Sequence, residues 1–176
     1  MNNFEISVAL ENITLLYDTR EQPTKRLKRR LETCGFSHER RALNVGDYSC
    51  FVTLPDGQIL DFSNKVAIER KMNIDELCLC FGQQRARFER EFERAKETGT
   101  KVYLLVENDN WERIYNGRYR SQMKPKALIA SINAFRTRYN MQLDFCKEET
   151  TGKLIRDILY REVKVYLEEV MPNEKV

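Results

Sequence analysis

Ten residues constrain this chain more than any others: Val66-Ala67-Ile68-Glu69-Arg70-Lys71-Met72-Asn73-Ile74-Asp75. An apolar run enters a Glu-Arg-Lys triplet, and Asp75 follows after three intervening residues. Side chains alternate along a strand, so Glu69 and Lys71 share one face. A carboxylate beside an ammonium at a strand end can hold a divalent cation and a phosphate together. Asn44-Val45-Gly46-Asp47-Tyr48 brings a second carboxylate after a glycine, and Leu15-Leu16-Tyr17-Asp18-Thr19-Arg20-Glu21 a third after an apolar run. Three strand-end carboxylates and a lysine are the groups that metal-assisted phosphodiester hydrolysis requires.

The pattern along the chain is strand–helix alternation with a hairpin in the middle. Ile13 to Tyr17, Arg41 to Val45, Tyr48 to Leu54, Gln58 to Phe62, Lys65 to Lys71, Lys101 to Glu107 and Met141 to Phe145 are expected as strands. Pro55-Asp56-Gly57 is the hairpin turn. Helices are expected after Pro23-Thr24 until Gly35, from Asn73 with Glu76 as a capping box, from Gln84 to Thr98, over 110–116, from Pro125 and from Thr151 to Val170. Phe88, Phe92 and Ala95 form one stripe of the Gln84–Thr98 helix, and the spacing predicts Arg85 on that stripe, where a guanidinium needs an acid or a phosphate. The segment after Met171-Pro172 is expected to be frayed. The alternation predicts an α/β fold: one mixed central sheet flanked by helices. A chain of 176 residues suits a single domain, 1–176, with its core at about 12–170.

Composition narrows the chemistry. There is one histidine, His38, so acid–base or metal chemistry must lean on carboxylates and lysine. Five cysteines without a Cys-x-x-Cys pair argue for buried, reduced thiols over a zinc site. No apolar stretch approaches a membrane span, and the N-terminus lacks a basic-then-apolar signal, so an intracellular protein is expected. Net charge is only +3, but Lys25-Arg26-Leu27-Lys28-Arg29-Arg30 and the set Arg113, Arg118, Arg120, Lys124 and Lys126 are concentrated basic clusters. Each suits a nucleic-acid backbone or a solvated face.

Gly46-Asp47, the gap, then Glu69-Arg70-Lys71-x-x-x-Asp75 resembles the signature of the XPF family of structure-selective endonucleases, a branch of the restriction-endonuclease-like, PD-(D/E)XK superfamily. Tyr17-Asp18-Thr19-Arg20-Glu21 resembles that family's first strand motif, while Gln84-Arg85-Ala86-Arg87-Phe88 and Val102 to Glu107 resemble the following helix and strand. The resemblance spans roughly residues 12 to 145. It implies a restriction-endonuclease-like sheet and a Mg²⁺- or Mn²⁺-dependent DNA endonuclease, acting on branched or flapped DNA in repair, recombination or phage replication. It further implies that Asp47 and Glu69 ligate the metal, that Asp18 adds direct or water-mediated contact, and that the Arg70 carbonyl reaches the ion. Lys71 would position or help deprotonate the attacking water and touch the scissile phosphate. Arg20, Arg70, Arg85 and Arg87 are the expected nucleic-acid contacts, since guanidinium reads phosphate in bidentate fashion. Tyr48 and Asp75 are expected to support the site, Asp75 as a structural acid at a helix N-terminus. Many family members carry a tandem helix-hairpin-helix domain after the nuclease, for which this sequence has no room; a homodimer or a partner protein is compatible with the resemblance. The alternatives are a non-catalytic DNA-binding scaffold on the same fold and a restriction-type or RNA-directed nuclease. Retention of Asp47, Glu69 and Lys71 argues against the scaffold.

Overall fold

A computed structural model describes residues 1–170; the segment expected to fray lies outside the described residues. The chain runs α1 (Asn3–Glu11), β1 (Ile13–Tyr17), α2 (Lys25–Cys34), β2 (Ser37–Arg40), β3 (Tyr48–Thr53), β4 (Ile59–Asp61), β5 (Val66–Lys71), α3 (Ile74–Phe81), α4 (Arg85–Thr98), β6 (Lys101–Glu107), α5 (Trp111–Tyr115), α6 (Pro125–Tyr139), β7 (Gln142–Cys146) and α7 (Thr151–Val170). One mixed sheet has the order β2-β1-β3-β5-β6-β7, with β4 paired to β3. β1 is parallel to β2, while β5, β6 and β7 are mutually parallel. β3 runs antiparallel to both β1 and β5. This is the expected sheet flanked by helices.

The sheet separates two cores. On one face, Leu15, Tyr48, Val66, Ile68 and Leu105 pack with Leu27 and Leu31 of α2 and Ile155, Leu159 and Val163 of α7. On the other, Ala67, Val102, Leu104 and Val106 pack with Leu77, Phe88, Phe92, Leu128, Ile132 and Phe135 of α3, α4 and α6. In β5, Val66 and Ile68 therefore face α2 and α7, and Ala67 faces α3 and α4. Strand alternation carries that parity to its end: Glu69 and Lys71 follow Ala67, and Arg70 follows Ile68.

Local signals explain most boundaries. The side chains of Thr24 and Asn73 accept the first free amides of α2 and α3, and Gly35 closes α2 in the left-handed conformation. Two expectations differ. The strand expected at Arg41 to Val45 is a loop, and the strand lies at Ser37–Arg40 instead. All four residues of β2 are exposed on the outer edge of the sheet, so no apolar alternation marks it. Leu43 and Val45 are apolar because they are buried in the loop over the strand ends, not because they pair. Helix α1 was not expected. It is set by a capping box between Asn2 and Glu5 and buries Ile6, Ala9 and Leu10. The five cysteines are unpaired, four of them buried. No described helix is long and apolar enough to cross a membrane.

Candidate active site

Topology gathers the acidic motifs. β1 and β5 end, and β3 begins, at the same edge of the sheet, because β3 is antiparallel to both. Asp18 follows β1, Asp47 precedes β3, and Glu69 and Lys71 finish β5. The main chain ties the three segments together: the Asp18 amide donates to the Asp47 carbonyl and the Asp47 amide to the Ile68 carbonyl, each at 2.8 Å. Oδ2 of Asp47 then accepts the Arg70 amide at 2.8 Å.

A cleft of about 230 Å³ opens at this point. Asp47, Glu69, Lys71 and Glu91 line it, with Arg20, Glu76, Cys80, Gln84, Arg87 and Phe88 completing the wall. Lys71 donates to Glu69 and lies over the Phe88 ring, 5.2 Å from its centre. Glu69 and Lys71 are both more than nine-tenths buried. Burial holds the Asp47 and Glu69 carboxyls above the ordinary carboxylate range, and the charges of Asp47 and Glu91 push Glu69 further than Lys71 pulls it back. Burial works against the Lys71 charge most strongly of any single cause, but Glu69, Cys80 and Asp47 together outweigh it and raise the ammonium pKa, so Lys71 is a fixed cation.

These shifts fix a pH dependence. Between the ordinary carboxylate range, about pH 4, and their raised values, Asp47 and Glu69 hold protons in the folded chain that the unfolded chain has released. Stability in the absence of divalent cations is thus expected to fall as pH rises from about 5 towards 7.5, because the native state binds more protons there. Thermal melts in EDTA across that range check it. The Asp47→Asn/Glu69→Gln pair should flatten the slope, and an unchanged slope would show that other groups carry it.

Gly46 shapes the turn that presents Asp47. Its φ is +75°, and a Cβ there would stand 2.9 Å from the Ile68 carbonyl oxygen and 3.1 Å from Ala67 Cβ. Its amide donates to Glu91 Oε1 at 3.0 Å, and its carbonyl accepts from Arg20 Nη2 at 3.3 Å. Gly46→Ala is expected to cost about 3 kcal/mol of stability and to displace Asp47, read by chemical denaturation.

The remaining expected site residues divide. Arg20 and Arg87 line the cleft. Asp18 does not line it: its Oδ1 accepts the amide and Nε of Arg20, and its Oδ2 accepts the Leu43 amide at 2.7 Å. Burial opposes ionisation of Asp18, but these donors overcome it and lower its pKa. Arg70, expected at phosphate, is turned to the opposite face and paired with Glu21 and Glu107; strand alternation requires that direction. Arg85, expected inward, is half-exposed and pairs with Glu89 at 3.0 Å and Ser131 Oγ at 3.2 Å. It opens α4 beside Phe135 and leaves the cleft to Gln84 and Arg87. Tyr48 is fully buried and its hydroxyl donates to Glu21 Oε2 at 2.6 Å. Asp75 accepts the amides of Arg120 and Ser121, each at 2.8 Å, so it anchors the loop before α6. Glu91 is the cleft residue not singled out from the sequence. Its signal is there: it lies three residues after Phe88 on the buried stripe of α4, where a carboxylate needs a reason.

The donor set suits a small hard cation. Among the described residues, no three His, Cys, Asp or Glu side chains form a ready-made metal cage. Mg²⁺ does not need one: it is commonly held by one or two carboxylates and keeps several waters, leaving positions for phosphate oxygens. Glu69, buried, and Asp47, partly buried, lack enough positive charge to bring their carboxyls into the ordinary range, and fit that pattern.

A family model described as the ERCC4 domain matches residues 17–158, which include every cleft residue. The chain belongs to the ERCC4 domain family. This is the XPF-type nuclease domain that the motifs resemble. Among solved structures, the domain is similar to XPF from Aeropyrum pernix, with 23% identity and a TM-score of 0.61 over 90% of this chain and 68% of that one. It is similar also to XPF from Aeropyrum pernix in complex with DNA, with 23% identity, a TM-score of 0.59 and the same coverage. No curated protein matches the sequence.

Proposed function

We propose that this ERCC4 domain is a Mg²⁺- or Mn²⁺-dependent endonuclease that hydrolyses phosphodiester bonds in DNA, with branched or flapped DNA as its substrate. The reading rests on one observation: Asp47, Glu69 and Lys71 converge at one sheet edge in a cleft that also carries Arg20 and Arg87. Family membership and a similar fold seen in complex with DNA in XPF from Aeropyrum pernix support it. Action inside the cell, in repair, recombination or phage replication, belongs to the same reading.

Asp47 and Glu69, with the Arg70 carbonyl, would hold the cation. Once bound, the cation supplies a lowered pKa for water and neutralises charge growing on the phosphate. Lys71 is a fixed ammonium beside Glu69, so its role is to attract and orient the scissile phosphate and stabilise its developing charge. The Glu69 carboxylate lines the same cleft and can accept a proton from the attacking water. Arg20 and Arg87 neutralise flanking phosphates. Asp18 acts through Arg20 and Leu43, holding the loop that shapes the cleft. Arg26 of α2 donates to Met72 Sδ at 3.2 Å, which brings the basic end of that helix to the end of β5. Arg30, part of the same basic run, is buried and unavailable to DNA.

The substrate class is tested with labelled duplex, flap, fork and four-way-junction DNA and a matched RNA fork, in Mg²⁺ or Mn²⁺. Cutting of flap or fork DNA ahead of duplex and RNA is the expected result. Preferential cutting of RNA, or binding without cutting in either metal, would overturn it.

A further inference from the structure

Behind the cleft, on the other face of the sheet, lies a closed ring of four charges, Arg30 and Glu107 buried and Glu21 and Arg70 partly buried. Arg30 Nη1 meets Glu21 Oε2 at 3.2 Å and its Nη2 meets Glu107 Oε1 at 3.5 Å. Arg70 Nη2 meets Glu21 Oε1 at 3.7 Å and its Nη1 meets Glu107 Oε2 at 3.3 Å. Each guanidinium thus spans both carboxylates. Tyr48 hydroxyl accepts from Arg30 at 2.7 Å, and Thr151 Oγ1 donates to Glu107 at 2.7 Å. The ring joins α2, the loop after β1, the end of β5, the end of β6 and the start of α7.

Such a ring is a poor way to gain stability. Taking such charges out of water costs about as much as their attraction returns, and apolar residues of similar volume commonly do as well. Here the cost is higher, because the buried Nε atoms of Arg30 and Arg70 have no hydrogen-bond partner. What the ring does secure is the place of Arg70. That residue stands between Glu69 and Lys71, and its amide holds Asp47 Oδ2.

We propose that Arg30 and Glu107 are positioning residues of the active site: by clamping the Arg70 side chain from behind, they fix the strand end that aims Glu69 and Lys71 into the cleft and anchors Asp47. The inference rests on the nuclease reading above. Neither residue touches the cleft.

The test uses the full chain with Glu107→Gln, which keeps volume and the Thr151 hydrogen bond but removes one charge. Its companion is Arg30→Gln/Glu107→Gln, which removes one charge of each sign and restores the balance. Measured are thermal stability, DNA affinity, single-turnover cleavage and amide hydrogen exchange at Arg70. Both variants are expected to cut about ten- to a hundred-fold more slowly, the usual loss when a ligand's supporting partner is removed. DNA affinity should stay within about two-fold, so that the loss falls on the chemical step. The Arg70 amide should exchange faster than its β6 neighbours, a local opening and not a global one. The double variant should regain thermal stability without regaining rate. Recovery of rate along with stability, or unchanged exchange at Arg70, would overturn the proposal. If the unmodified chain cuts no substrate, the nuclease reading fails by itself, and the Arg70 amide alone decides whether the ring positions this strand end.

Discussion

Glu69→Gln abolishes cleavage, lowering the rate at least about a thousand-fold, roughly 4 kcal/mol of transition-state stabilisation, while the folded chain still binds DNA. Three roles end with one substitution. The amide is a poor ligand for a hard cation, it takes no proton from water, and it releases the Lys71 ammonium from its fixed partner. DNA binding survives because Arg20 and Arg87 are untouched. Thermal stability should hold or rise, since a buried carboxyl whose ionisation is opposed by burial and by Asp47 becomes neutral. Single-turnover cleavage with a parallel binding titration measures it. Cleavage within ten-fold of the unmodified chain would remove Glu69 from the chemistry.

The largest effect on folding is expected away from the cleft, at Gly152. This residue opens α7 against the last turn of α2. A Cβ there would overlap Thr33 Oγ1 and the Arg30 carbonyl oxygen and stand 3.0 Å from the Cys34 amide nitrogen. Two of those atoms are main chain, so a rotamer change cannot relieve the contact, and α2 and α7 must separate. Gly152→Ala should cost about 3 kcal/mol or more, a fall in melting temperature of about 10 °C for a chain of this size. The separation also withdraws Arg30 from the charged ring and Thr151 from Glu107, so the variant should lose activity below its melting temperature. A melting temperature within about two degrees of the unmodified chain would show that the two helices adjust.

These two residues mark what a sequence can and cannot reveal. Glu69 is legible because strand alternation and an apolar lead-in specify both its face and its position at a strand end. The same alternation sends Arg70 away from Lys71. Treating Arg70 as a phosphate contact set that geometry aside in favour of its charge. Gly152 carries no local signal, because the need for glycine arises from a second helix more than a hundred residues earlier in the chain. β2 escaped notice for a related reason: an exposed edge strand has no buried face to pattern it. Helix α1 was marked by Asn2 and Glu5, the same three-residue spacing that marks α3 at Asn73 and Glu76. The apolar stripe of α4 held Glu91 as well as Phe88 and Phe92, and a carboxylate there pointed to the cleft. Arg85 sits on the same helical period but in the first turn, where the helix end lets the side chain turn out to Glu89.

The most direct measurement is a time course of a labelled DNA fork cut by the unmodified chain in Mg²⁺, in Mn²⁺ and in EDTA, alongside Asp47→Asn. Cutting that needs either cation, stops in EDTA and is lost with Asp47 is the expected result. Equal cutting in EDTA, or full activity without the Asp47 carboxylate, would contradict a metal-dependent centre at this sheet edge.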